Sequence, residues 1–93
     1  MTKKSFGSVW DAIEDTPVDA ENMKIRSSLM AAIIEKIQSN KWTQVEAARR
    51  LGITQPRVSD MMRGKIELFS VDSLIAMAGE AGLSVRVKIS KAA

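Results

Sequence analysis

Residues 54–65 set an amide, a guanidinium, a hydroxyl and a carboxylate close together, as Gln55, Arg57, Ser59 and Asp60, with Pro56 among them. These side-chain types suit the edges of nucleic-acid bases. A glutamine amide can pair bidentately with adenine, a guanidinium can do so with guanine O6 and N7, and a carboxylate can accept from cytosine. Thr43, Gln44, Thr54, Arg63 and Lys65 stand around this group, and their hydroxyl, amide and cationic ends suit phosphate oxygens. Catalysis is harder to assemble. The chain has neither cysteine nor histidine, which removes disulfides, thiolate chemistry, the usual zinc sites and the commonest general base. No nucleophile is paired with a base, and no two carboxylates share a spacing that implies one site. The expectation is a binding protein, not an enzyme, with no metal and no cofactor.

The elements that would position these residues are legible at 43–64. Thr43 can accept from the backbone N–H of Glu46, and the Glu46 side chain can reach back to the N–H of Thr43, a capping box that starts a helix at Gln44. Val45, Ala48 and Leu51 fall on one face at helical spacing, and Gly52 can take the left-handed conformation that ends the helix. Ile53 then fills the angle, Thr54 caps a second helix, and Pro56 sits in its first turn, where a missing N–H costs nothing. That helix should run to about Met62, with Val58 and Met61 inward and Gln55, Pro56, Arg57, Ser59, Asp60 and Arg63 outward. Ala48 is small where the helices must cross. Two plain core helices would show some of the same pattern, but the caps and the paired glutamines favour a reading head.

Gln44, Ala48, Gly52, Gln55 and Val58 follow a pattern that resembles the helix-turn-helix of the phage-repressor-like (XRE, Cro/cI) family, over about a quarter of the chain. Beyond it, the opening FGSVWDAIED and the closing LIAMAGEAGLSVRVKI resemble small XRE-type antitoxins of the HigA kind, encoded beside ribonuclease toxins of the RelE/HigB kind. The first resemblance implies operator DNA as partner, with Gln55, Pro56, Arg57, Ser59 and Asp60 at base edges. Thr43, Gln44, Thr54, Arg63 and Lys65 would then lie on phosphates. The second implies a toxin partner, which an acidic and aromatic arm carrying Phe6, Trp10 and Ile13 would meet.

A chain of 93 residues makes one domain with a single modest core. Its net charge of +3 is unevenly spread. Residues 1–35 hold four basic and six acidic side chains, residues 36–65 hold seven and two, and residues 66–93 hold three of each. The positive charge therefore concentrates on the candidate reader, as a polyanionic partner requires. Arg49 and Arg50 can equally be a solvated face; Arg57, Arg63 and Lys65 have the stronger case. No apolar run approaches the roughly 20 residues that span a bilayer, the opening lacks the apolar centre of a signal peptide, and cysteine is absent, so a cytoplasmic location is expected.

Thr16 and Pro17 open a long helix, with Asp19 and Glu21 suited to its positive end. Its Ile25, Leu29, Ile33 and Ile37 recur every four residues, Met30 and Ile34 widen that row, and the helix ends at Asn40 or Lys41. Met23 and Met30 read as core filling. Before it, Phe6, Val9, Trp10 and Ile13 form an arm over 1–15 that either folds back onto the core or offers a sticky surface. After the motif, Ser70 caps a fourth helix with Val71, Leu74, Ile75 and Ala78 inward and Gly82 ending it. Over 83–93 the period changes to two: Leu83, Val85, Val87 and Ile89 alternate with polar residues, which predicts a β-strand. A lone strand needs a partner, most economically a second copy, giving a homodimer; an internal hairpin is the alternative. The fold class expected is mainly α, a four-to-five-helix phage-repressor-like bundle at 16–82 with its helix-turn-helix and a short C-terminal strand. Three functions fit: an autoregulating antitoxin, a stand-alone XRE-type repressor, or a protein interaction module.

Overall fold

A computed structural model describes residues 17–91. The arm with Phe6, Trp10 and Ile13 lies outside the described residues. The described residues form four helices in order, α1 Pro17–Ser39, α2 Gln44–Leu51, α3 Gln55–Met62 and α4 Val71–Glu80, with a 3₁₀ turn, Ile66–Leu68, between α3 and α4. α4 packs along α1, and α2 and α3 close the other side. Between them lies one core, built from Met30, Ile33 and Ile37 of α1, Ala47, Ala48 and Leu51 of α2, Val58 and Met61 of α3, Phe69, and Leu74, Met77 and Ala78 of α4.

Each helix stops by the same device, a residue in left-handed conformation followed by a backbone N–H that reaches back five residues. The Ile53 N–H donates to Ala48 O at 3.0 Å and the Leu83 N–H to Ala78 O at 2.8 Å. This arrangement satisfies carbonyls that have no partner inside the helix. Gly52, at φ 71°, takes the left-handed place after α2 at no steric cost. After α1 the same place falls to Lys41, at φ 56°, and the Trp42 N–H reaches Ile37 O at 3.0 Å. That lysine carries strain of about 1–2 kcal/mol that a glycine would not.

Four expectations need correction. The C-terminal β-strand does not form: residues 83–91 carry no strand, and Val87 and Ile89 are 79% and 90% exposed. The period-two pattern is real, but a strand requires backbone partners. For an internal hairpin, residues 66–69 offer no strand to pair with, since they form the 3₁₀ turn Ile66–Leu68 and lead into α4. Leu83 packs against its own core, so of the proposed dimerisation residues only Val85, Val87 and Ile89 stay exposed. In α2, Val45 is 61% exposed while Ala47 is fully buried. The buried face runs through Ala47, Ala48 and Leu51, because the crossing with α3 and α4, not hydrophobicity, decides which side turns in. In α1, Ile25 is 48% exposed and Met23 39%, since the helix starts well before the elements it covers. In α4, Met77 takes the inward place expected of Ile75, which is 41% exposed.

Candidate nucleic-acid interface

Two capped helix starts place the candidate side chains. The Glu46 N–H donates to Thr43 Oγ1 at 3.1 Å, and the Arg57 N–H to Thr54 Oγ1 at 3.4 Å. Both caps sit in extended backbone, and Pro56 occupies the first turn of α3. Gln44, Gln55 and Pro56 are exposed, while Ser59 and Asp60 are half-buried. The inward side of α3 is fixed by Val58 and Met61, both fully buried. Gln55 and Pro56 are therefore held on a rigid element with their ends in solvent.

The second half of the expected capping box is absent, because the Glu46 carboxylate turns the other way. It accepts from Arg49 Nη2 at 2.6 Å and from Arg50 Nε at 2.5 Å. These two guanidinium groups, Arg50 first, hold the Glu46 carboxyl below the usual carboxylate range. Arg50 also lies over the Trp42 ring, 4.8 Å from its centre, a cation–π contact that ties α2 to the end of α1. The spacings of three and four from Glu46 to Arg49 and Arg50 were readable as a helical ion-pair pattern; the stacking on Trp42 was not.

Asp60 was expected at a base edge, where its carboxylate would accept from cytosine. Instead its Oδ1 lies 3.4 Å from Arg63 Nη2 and 3.8 Å from Lys65 Nζ. The carboxylate gathers the two cations that follow α3 and offsets its own repulsion towards a polyanion. Arg57 departs furthest from expectation. Its Nη1 donates to Leu68 O at 3.1 Å, and its guanidinium lies over the Phe69 ring, 4.3 Å from the centre. Thus Gln55, Pro56 and Ser59 stand on one helix with Arg63 and Lys65 at its end, whereas Arg57 is turned towards the α3–α4 turn. Sequence reasoning missed Arg26, which enters that turn from α1; no local pattern marks a contact forty residues away.

Among the described residues no cluster of acidic side chains is arranged to hold a metal ion, and no helix is long and apolar enough to cross a membrane.

The chain matches the family model of a helix-turn-helix domain over residues 12–90. It is similar to a solved structure assigned to the XRE family of transcriptional regulators, at 35% identity and a TM-score of 0.73 over 80% of this chain and 83% of that one. No curated protein matches it. With the two capped helices, the glycine turn between them and this similarity along most of its length, the chain belongs to the XRE family of helix-turn-helix proteins.

Proposed function

We propose that this protein is a sequence-specific, double-stranded DNA-binding transcriptional regulator that acts by binding, without catalysis. The observation that carries the reading is the first turn of α3, where Thr54 caps the helix and leaves Gln55 and Pro56 exposed on a rigid frame. Inserted in the major groove, that turn lets the Gln55 amide pair with adenine, while Pro56 offers an apolar face to a thymine methyl and Ser59 stands one turn further on. Thr43, Gln44 and Thr54 grip phosphate near the two helix starts, and Arg63 and Lys65 grip it beyond the end of α3. Asp60 supports that pair. A homodimer places two copies of α3 in successive major grooves, about 34–36 Å apart. The exposed Val85, Val87 and Ile89 are apolar surface that a second copy can cover. The protein works in the cytoplasm, where its operator lies.

The test is binding of the purified protein to DNA from immediately upstream of its own gene, with random DNA as competitor and salt varied. Selective, salt-dependent binding with two protected half-sites about one helical turn apart is expected. Equal affinity for random DNA would instead favour a protein interaction module.

A finer reading rests on the opening FGSVWDAIED and closing LIAMAGEAGLSVRVKI segments, which resemble those of XRE-type antitoxins. On it, the regulator represses its own operon and also neutralises a ribonuclease toxin, through an arm bearing Phe6, Trp10 and Ile13. Co-expression with the product of the neighbouring gene tests this: a stable complex that blocks RNA cleavage supports it, and a neighbour with no such activity leaves a stand-alone repressor.

A further inference from the structure

The turn that joins α3 to α4 is held by two arginines from different helices. Arg26 of α1 donates from Nη1 to Ile66 O and to Phe69 O, each at 3.4 Å. Arg57 of α3 donates from its own Nη1 to Leu68 O at 3.1 Å. Three of the four carbonyls from Ile66 to Phe69 therefore face a guanidinium. Carbonyls at the end of a short helical turn, here those of Leu68 and Phe69, lack internal partners and carry partial negative charge, so cations suit them; Ile66 O also accepts from the Phe69 N–H at 3.1 Å. Phe69 is 1% exposed, which fixes the ring that Arg57 covers. The same turn begins at Lys65, whose N–H donates to Asp60 O at 3.1 Å, directly beside the proposed phosphate clamp.

We propose that Arg57, assisted by Arg26, is a positioning residue and not a base reader: it locks residues 65–69 against α3 and thereby sets how the reading helix and the Arg63 and Lys65 clamp meet DNA. Base selection is left to Gln55, Pro56 and Ser59. The inference rests on the DNA-reading function proposed above. A guanidinium that is bonded to a backbone carbonyl and laid over a ring gives up both contacts to reach a base edge, so a guanine contact would release the turn. Lysine cannot take the place of Arg57, because it lacks the flat fork that stacks and donates at once. Methionine keeps the aliphatic stem and loses both contacts.

The experiment compares wild type, R57K, R57M and F69L on a duplex recovered by selection from a random pool, and on every single-base variant of it, far below the unfolding temperature. Hydrogen exchange of the Leu68 and Phe69 amides, which donate to Lys65 O and Ile66 O, is followed without DNA. R57K and R57M are each expected to lose about tenfold in affinity. The loss is the same on every variant duplex, so the ranking of bases is unchanged, and the two amides exchange faster. F69L removes the ring contact but leaves the bond to Leu68 O, so it shows a smaller loss of the same kind and adds little to R57M, which has already lost that contact. Should F69L fail to fold, R57K and R57M carry the test. A preference that flattens at one base pair in R57M overturns the proposal in favour of base reading. Wild-type affinity in R57K overturns it too, and so does a lowered Tm with operator affinity intact, which marks a merely structural contact. A wild type that selects no duplex at all brings down the DNA-reading function itself, a result visible before any variant is measured.

Discussion

α2 and α3 are built alike and used differently. Each is eight residues long, each begins behind a threonine cap, and each is followed by a glycine in left-handed conformation. In α2 the charged side chains turn on each other: Glu46 takes Arg49 and Arg50, and Arg50 lies on Trp42. In α3 the first turn offers uncharged groups, Gln55 and Pro56, to solvent, while charge is gathered at its end, on Asp60 of the last turn and on Arg63 and Lys65 beyond it. One local code thus yields a strut and the proposed reader. The difference lies in where each helix spends its hydrogen-bonding and charged groups once the cap and the stop are made.

That contrast can be broken most forcefully at the core. Leu51→Ala removes the largest buried side chain of α2, 2% exposed, and should cost about 2–5 kcal/mol in urea unfolding. Val58→Ala, at a fully buried place in α3, should cost less because fewer carbon atoms leave. Equal losses would mean that the reader carries as much of the core as the strut.

Function should separate the helices next. Gln55→Ala should remove about 1–3 kcal/mol of discrimination at one base pair, read as the change in affinity between the operator and its single-base variants. Gln44→Ala, at the corresponding place on α2, should weaken operator and random duplex by one common factor. If Gln44→Ala also changes the preferred base, the strut reads sequence and the contrast fails.

The caps sharpen the comparison on a smaller scale. Thr43→Ala should cost about 1 kcal/mol, and Thr54→Ala less, since its hydrogen bond is 3.4 Å against 3.1 Å. Denaturant midpoints of the two variants decide the order. At the end of α1, Lys41→Gly relieves a left-handed lysine and adds chain entropy to the unfolded state, for a net gain of about 0.5 kcal/mol. An unchanged or lower midpoint would show that the strain at Lys41 does not exceed that entropy cost.

The smallest effect belongs to pH. The Glu46 carboxyl is held below its ordinary value by Arg50 and Arg49 in the folded chain. A depressed folded pKa contributes stability that is present above the unfolded value and is lost as pH falls through the folded one. Wild type should therefore lose slightly more Tm than Glu46→Gln on the acid limb, with the two profiles parallel near neutrality. Parallel profiles down to the acid limit would show that exposure screens the pair entirely.

The helix-turn-helix was legible because its information is local. Thr43, Gly52, Thr54, Pro56 and Ser70 act within one turn of themselves, so their effects survive in any tertiary context. Gln55 and Pro56 were found on the outside by the same logic, since Val58 and Met61 fix the inward side. Val45, Ile25 and Ile75 were misplaced because apolar spacing names several faces, and only the neighbouring helix selects one. The strand at 83–91 failed for a related reason: alternation of Val85, Val87 and Ile89 states a preference, but the ladder needs a partner that the described residues do not supply.

By itself, then, the sequence determined where the helices of this protein begin and end and which family pattern it carries, because capping and turn chemistry are set by neighbours a few residues apart. Only the tertiary structure decided the employment of its arginines. Arg26, Arg50 and Arg57 are all long cations on helices, and each reaches a ring or a carbonyl whose position depends on how those helices pack. A flexible charged side chain takes the strongest partner within its reach, and reach is a property of the fold.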